Sequence, residues 1–225
     1  VILEYLKRKH TEYEIIVVVM EKDIDLKKLT WVRKKFVAAP FESARANNIG
    51  ASMATTNIFF FQDADILFRV AYYDMIVKRM MTESYESARI GEQCVNMSRD
   101  HVMKIRINAK YVDDLVSKQY QTCLRDAPGA CIAMTRDAFV RVGGHCELFK
   151  CYGWEDCYMR VKVRRLTKQF SLGKQTLHLA HETNYQMGQQ AVNAPLYQAL
   201  LGKDFDKCVQ RDRKFLIGHY PVFAK

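Results

Sequence analysis

Proline is scarce in this chain, with four in 225 residues, and glycine stops at ten. No stretch is rich in proline, glycine or serine, and no period repeats. An interdomain linker, a solenoid and a low-complexity tail are therefore not indicated. No apolar run approaches the ~20 residues of a membrane span. The first residues also lack the basic-then-apolar order of a secretory leader, so an anchor for a membrane-attached protein would lie outside this segment. The seven cysteines contain no C-x-x-C pair and are odd in number. That argues against a zinc ribbon and against a dense disulfide framework. Acids are outnumbered, 25 against 35 Lys plus Arg, for a net charge of +10. The excess suits a polyanionic partner such as a nucleoside diphosphate, an acidic glycan, nucleic acid or an anionic membrane surface, although an inert basic surface has the same composition.

What is present suffices for a substantial core: 49% of residues are apolar and 12% aromatic. Helical spacing runs from Ile2 to Lys9. It is followed by a β-rich run, Glu14 to Glu21, of the kind buried in parallel sheets. A short strand near Trp31 to Val37 leads to a helix from Ser43 to Ala54, with Ser43 as N-cap and Ala46, Gly50 and Met53 on its packed side. A Phe-rich strand, Asn57 to Leu67, closes the first half. A helix at Ala71 to Met81 and a strand within Ala88 to Val95 precede a polar amphipathic stretch from Asp100 to Tyr120. Pro128-Gly129 marks a turn before a strand at Ala130 to Thr135. A helix from Asp137 stops at Gly143-Gly144. Alternation of strands and helices predicts one α/β domain.

Three clusters could carry chemistry. The Phe-rich strand ends in Asp63-Ala64-Asp65, which places two carboxylates at a strand's C-terminal edge, where open α/β sheets bind ligands. Alone, such a pair is also an ordinary turn former. Further on, Glu155-Asp156 sits at the start of a helical run. Acids there complement the helix dipole, and one of them could serve as a general base. Behind this pair, Met159, Val163, Leu166 and Phe170 form an apolar stripe, and Arg160, Arg164 and Lys168 a basic row. The third cluster is His178 and His181. Strand alternation sends residues three apart to opposite faces, which leaves one of them free to join Asp65 at a metal.

Taken together these segments resemble a GT-A glycosyltransferase of the inverting type, as in glycosyltransferase family 2 and the C-terminal domain of β-1,4-galactosyltransferase and chondroitin-synthase-like enzymes. The resemblance rests on Glu14 to Val19, on Ala44-Arg45-Ala46-Asn47-Asn48-Ile49-Gly50 and on Phe60 to Asp65. It continues through Val142 to Phe149 into Gly153-Trp154-Glu155-Asp156, and then the His178/His181 strand. It implies a Rossmann-like, mixed but mostly parallel sheet flanked by helices, whose first strand is not in this segment. Residues 1–225 would form a single domain of a longer polypeptide, with a nucleotide-sugar half at 1–68 and an acceptor half at 69–225.

The same resemblance implies a hexosyltransferase that moves a sugar from a nucleotide diphosphate sugar, a UDP-sugar, to a glycan hydroxyl by direct displacement. Asp65 and Asp63, with His181 or His178, would hold Mn²⁺ or Mg²⁺. Arg45, Asp63 and Asp65 would meet the nucleotide sugar, and Asp156 would be the base. Glu155, Trp154 and Tyr152 would bind the acceptor. Lys162 stands where the family has an arginine, Cys157-Tyr158 replaces its acidic tract, and Glu21-Lys22-Asp23 replaces its acidic-Gly-Ser ending. Transfer to modified bases of nucleic acid, and a non-catalytic glycan- or nucleotide-binding module, are the alternative readings.

Overall fold

The computed structural model describes residues 2–9, 12–20, 30–91, 93–107, 111–118, 120, 124–126, 131–151, 153–181, 188–202 and 204–224. The elements in order are α1 (Ile2–Lys9), β1 (Ile16–Met20), β2 (Arg33–Val37), α2 (Ser43–Met53), β3 (Ile58–Gln62), β4 (Ile66–Leu67) and α3 (Ala71–Thr82). Then come β5 (Ser87–Arg89), β6 (Gln93–Asn96), α4 (Arg99–Ile107), α5 (Tyr111–Ser117), β7 (Leu124–Asp126) and β8 (Cys131–Thr135). The chain closes with α6 (Arg136–Arg141), α7 (Glu155–Leu166), β9 (Gln169–Ser171), β10 (Gln175–His178), α8 (Gly188–Leu201), α9 (Phe205–His219) and a 3-10 turn, Pro221–Phe223. No described helix is long and apolar enough to cross a membrane.

These elements form two compact units. One comprises Val1–Tyr13, Phe60–Met134 and Thr167–Asn184; the other comprises Glu14–Phe59, Thr135–Leu166 and Tyr185–Lys225. The first holds a four-stranded sheet in the order β4-β10-β6-β7. In it β10 runs antiparallel to β4 and parallel to β6, while β7 is antiparallel to β6. A second sheet, β3-β8-β5-β9, pairs β5 antiparallel to β8 and parallel to β9. Ile66, Leu67, Ile76, Ile90 and Cys94 are buried in this unit. An aromatic group joins Tyr73 to Phe60 and Phe68, each ring pair with centroids 5.0 Å apart.

In the second unit β1 and β2 pair in parallel, Ile16 opposite Arg33. Arg33, Lys34 and Lys35 of β2 are exposed, and charges along a strand disfavour pairing with a further chain. A compact apolar group gathers Cys146, Phe149, Tyr158, Leu200, Phe205 and Val209, with Trp154, Leu196 and Tyr197 packed against it.

Several sequence-based expectations shift in detail. Ser43 is the first residue of α2 rather than its cap: Glu42 takes the extended cap conformation, and no side chain caps the helix. The packed face of α2 is Ala44, Asn48 and Ala51, two positions before the expected Ala46, Gly50 and Met53, so the small residues and the amide lie inward. The strand expected over 88–95 is two strands, β5 and β6. The chain breaks at Gly91, where a Cβ would lie 1.6 Å from the Lys174 carbonyl oxygen. The undivided stretch after Asp100 contains α4 and α5. Helix α6 begins at Arg136 because the Thr135 hydroxyl accepts the Ala138 N–H at 3.2 Å. Phe170 of the apolar stripe lies in β9, not in the helix. The turn at Pro128-Gly129 lies outside the described residues.

Candidate functional site

Strand alternation at the end of β3 separates its aromatic side chains. Phe59 meets Phe139 edge-on at 5.6 Å, and Phe60 meets Tyr73. The chain then turns sharply, the Ile66 N–H reaching the Asp63 carbonyl at 3.1 Å, and re-enters a sheet as β4. Asp63 is exposed on this turn, while Asp65 is half-buried beneath it. The Leu179 N–H donates to the Asp65 carbonyl at 2.8 Å, and His178 pairs with Ile66 in the β4–β10 register. Backbone pairing thus carries His178 to Asp65, and the Leu179 hydrogen bond anchors the start of the segment that leads to His181.

Around that carboxylate, His178 Nε2 lies 3.2 Å and His181 Nε2 2.8 Å from Oδ2. The two imidazole rings stand 5.3 Å apart at 60°. Asp65, His178 and His181 offer one ligand atom each, all within 4.8 Å of one another. Asp65 Oδ1 is buried with no hydrogen-bond partner among the described residues. Burial works against ionisation of Asp65, but the His178 hydrogen bond and the charges of both histidines outweigh it and hold the carboxyl below its ordinary range.

The expectation that alternation admits only one histidine is corrected. Strand β10 ends at His178, so residues 179–181 leave the strand and no longer alternate with it. Asp63 is not brought into this group. Two imidazoles and a carboxylate are ligands for a divalent transition ion, and the unpartnered buried oxygen gives such an ion a place to bind.

The acidic pair occupies the first turn of α7, in the second unit. Glu155 is 4% exposed, and its Oε2 has no hydrogen-bond partner among the described residues. Burial raises the pKa of both carboxyls, and the neighbouring Asp156 raises that of Glu155 further. A carboxylate so raised is a stronger base than an exposed one, which suits proton abstraction from a hydroxyl. Trp154 caps the helix through its carbonyl, which accepts the Tyr158 N–H at 2.9 Å. Its ring lies against Tyr197, with centroids 4.8 Å apart. Tyr152 lies outside the described residues. Arg45 is half-buried on α2, near enough to Tyr220 for its charge to act on that phenol. Burial and the Glu147 hydrogen bond nevertheless raise the Tyr220 pKa.

Two polar groups in the second unit lie outside the three clusters expected from the sequence. Lys162 is completely buried, its ammonium donating to the Gly144 carbonyl at 2.6 Å and to Asp212 Oδ2 at 3.2 Å. Arg211 closes the group on Asp212 Oδ1 at 2.7 Å. Helical spacing carried this signal, since Lys162 shares the inward face of Tyr158, Met159 and Val163, and Asp212 that of Phe205, Val209 and Leu216. The other group is the amide of Asn48, which donates to the His145 carbonyl and to Glu147 and accepts the His145 N–H at 2.9 Å.

This architecture is the GT-A fold, the nucleotide-sugar-binding α/β fold of many glycosyltransferases. Solved structures similar to the chain include GalNAc-T7 with UDP, GalNAc and Mn²⁺ (TM-score 0.57, 13% identity, 82% of this chain and 41% of that one). A second is glucosyl-3-phosphoglycerate synthase from Mycobacterium tuberculosis with phosphoglyceric acid (0.52, 12%, 89% and 72%). A third is a mannosyltransferase from Pyrobaculum calidifontis with GDP-Man and Mn²⁺ (0.50, 18%, 94% and 64%). The chain thus spans about two fifths of the first structure's length and just under two thirds of the third's. No family model matches the sequence. No curated protein matches it either.

Proposed function

We propose that this chain is a metal-dependent glycosyltransferase that moves a sugar from a nucleotide diphosphate sugar, a UDP-sugar, to a hydroxyl of a glycan acceptor with inversion. The observation that carries the reading is the convergence of Asp65, His178 and His181 at a strand edge of a GT-A fold. A divalent ion bound there, Mn²⁺ in two of the similar structures, would neutralise the departing diphosphate. In this reading Asp65 and the two histidines hold the ion, and Asp63 and Arg45 are assigned to the nucleotide sugar. Asp156 takes the proton from the attacking hydroxyl as the C–O bond forms at the anomeric carbon and the bond to the diphosphate breaks. Glu155, Trp154 and Tyr152 are assigned to the acceptor.

Isothermal titration of Mn²⁺ and UDP tests this directly. The expected result is that the wild-type chain binds UDP only with Mn²⁺ present and that Asp65→Asn loses this Mn²⁺-supported binding. Unchanged Mn²⁺-supported UDP affinity in Asp65→Asn would remove the metal assignment. Asp156→Asn should keep donor binding and lose transfer; retention of transfer would place the base elsewhere.

A further inference from the structure

Immediately before the acidic pair the backbone takes a costly form. Cys151 has φ of 59°, Gly153 of 104° and Trp154 of 72°. Left-handed backbone is unfavourable for any residue bearing a Cβ, and a bulky tryptophan there is a marked outlier. Such conformations persist only where the surroundings over-determine them. Here the restraint comes from α8. Asn193, 3% exposed, donates from Nδ2 to the Lys150 carbonyl at 2.9 Å and to the Gly153 carbonyl at 3.0 Å. Its Oδ1 accepts the Lys150 N–H at 3.4 Å. One amide therefore grips the chain on both sides of Cys151. One helical turn on, Tyr197 lies against the Trp154 ring, so residues i and i+4 of α8 address the same segment.

That segment feeds the acidic pair. The Trp154 carbonyl accepts the first hydrogen bond of α7, from the Tyr158 N–H, and thereby sets where the helix starts. The Gly153 backbone also acts on the Glu155 carboxyl, working against the rise in pKa that burial imposes. We propose that Asn193, supported by Tyr197, is a positioning residue: it holds the left-handed turn that sets the Glu155 and Asp156 carboxylates at the head of α7. The proposal rests on the assignment of Asp156 as base only for its consequence in transfer; the geometric role stands apart from it.

The test uses the full chain carrying Trp31→Phe, so that Trp154 is the only tryptophan. Asn193→Leu keeps size and neutrality while deleting both donors, and Asn193→Ala is its companion. In each, the acrylamide quenching constant of Trp154 should at least double. The NMR titration midpoints of the Glu155 and Asp156 carboxyls should fall by about one pH unit toward the ordinary carboxylate range. Transfer should fall tenfold or more while Mn²⁺–UDP affinity is unchanged. Should either variant fold poorly, adding Cys151→Gly removes the left-handed cost at that position and restores a measurable protein. Unchanged quenching and unchanged carboxyl titration in folded Asn193→Leu overturn the proposal. Full transfer by Asp156→Asn would instead remove the base assignment, and the fluorescence and titration arms would still judge Asn193.

Discussion

Glu155 and Asp156 are adjacent acids in an environment that resists their ionisation. The folded-state pKa of each is raised, so the folded protein retains protons that the unfolded chain has released. Stability conferred by the neutral forms is therefore present at low pH and declines as pH climbs from the ordinary carboxylate range through the raised values. Glu155→Gln removes that penalty at Glu155, whose pKa the neighbouring Asp156 raises further. Its melting temperature should match the wild type near pH 4 and exceed it near pH 8, a gain on the order of 1–3 kcal/mol. Equal melting temperatures at both pH values would show that Glu155 is not held protonated by its burial.

The Lys162–Asp212 pair makes the opposite point. Removing one partner strands a buried charge, so Asp212→Ala should destabilise by about 3–5 kcal/mol in urea unfolding, while a double replacement by apolar residues of similar volume should cost far less. Neither effect is visible from net charge. The sequence shows both residues on inward helical phases, but only three-dimensional packing shows that they meet each other and the Gly144 carbonyl.

Among the elements, the glycine pair that ends α6 is tightly specified. Gly143 and Gly144 have φ of 78° and 60°, and a Cβ on Gly144 would lie 2.7 Å from Leu216 Cδ1 and 2.8 Å from Asn48 Oδ1. Gly144→Ala therefore combines left-handed strain with a clash against a buried amide. A loss of about 2–4 kcal/mol is expected in denaturant unfolding, and a loss under 1 kcal/mol would contradict the close approach. This Gly-Gly stop was legible in the sequence, since glycine is the residue that ends helices in left-handed geometry. So was the strand leading to Asp63 and Asp65, whose apolar run has few other uses. What stayed hidden were the ends. Periodicity places His178 and His181 on opposite faces of a strand, but it does not say where that strand stops. The strand stops at His178, and both rings reach Asp65 as a result. Similarly, nothing in the local sequence around Asn193 reveals that its amide spans a turn some 40 residues earlier.

For the whole molecule, order along the chain conveyed more than composition. The succession from Arg45 through Asp63-Ala64-Asp65 to Glu155-Asp156 and His178/His181 led to the GT-A fold, whereas the +10 charge by itself is equally at home on an inert surface. The charge does yield one expectation. Binding of duplex DNA should follow counterion release, with log affinity falling linearly in log salt and disappearing at physiological ionic strength. A salt-resistant component that discriminates among DNA sequences would favour nucleic acid as the acceptor over a glycan.

The hydrogen bond from Leu179 to the Asp65 carbonyl, together with the β4–β10 pairing, means that Asp65 and His178 are brought together, and the segment leading to His181 is anchored, by main-chain bonds alone. The conformational entropy of gathering them is lost once, during folding, and is not charged again to binding. An ion entering such a site should raise the melting temperature with little change in far-UV circular dichroism, and its uptake should be limited by encounter rather than by rearrangement of the chain.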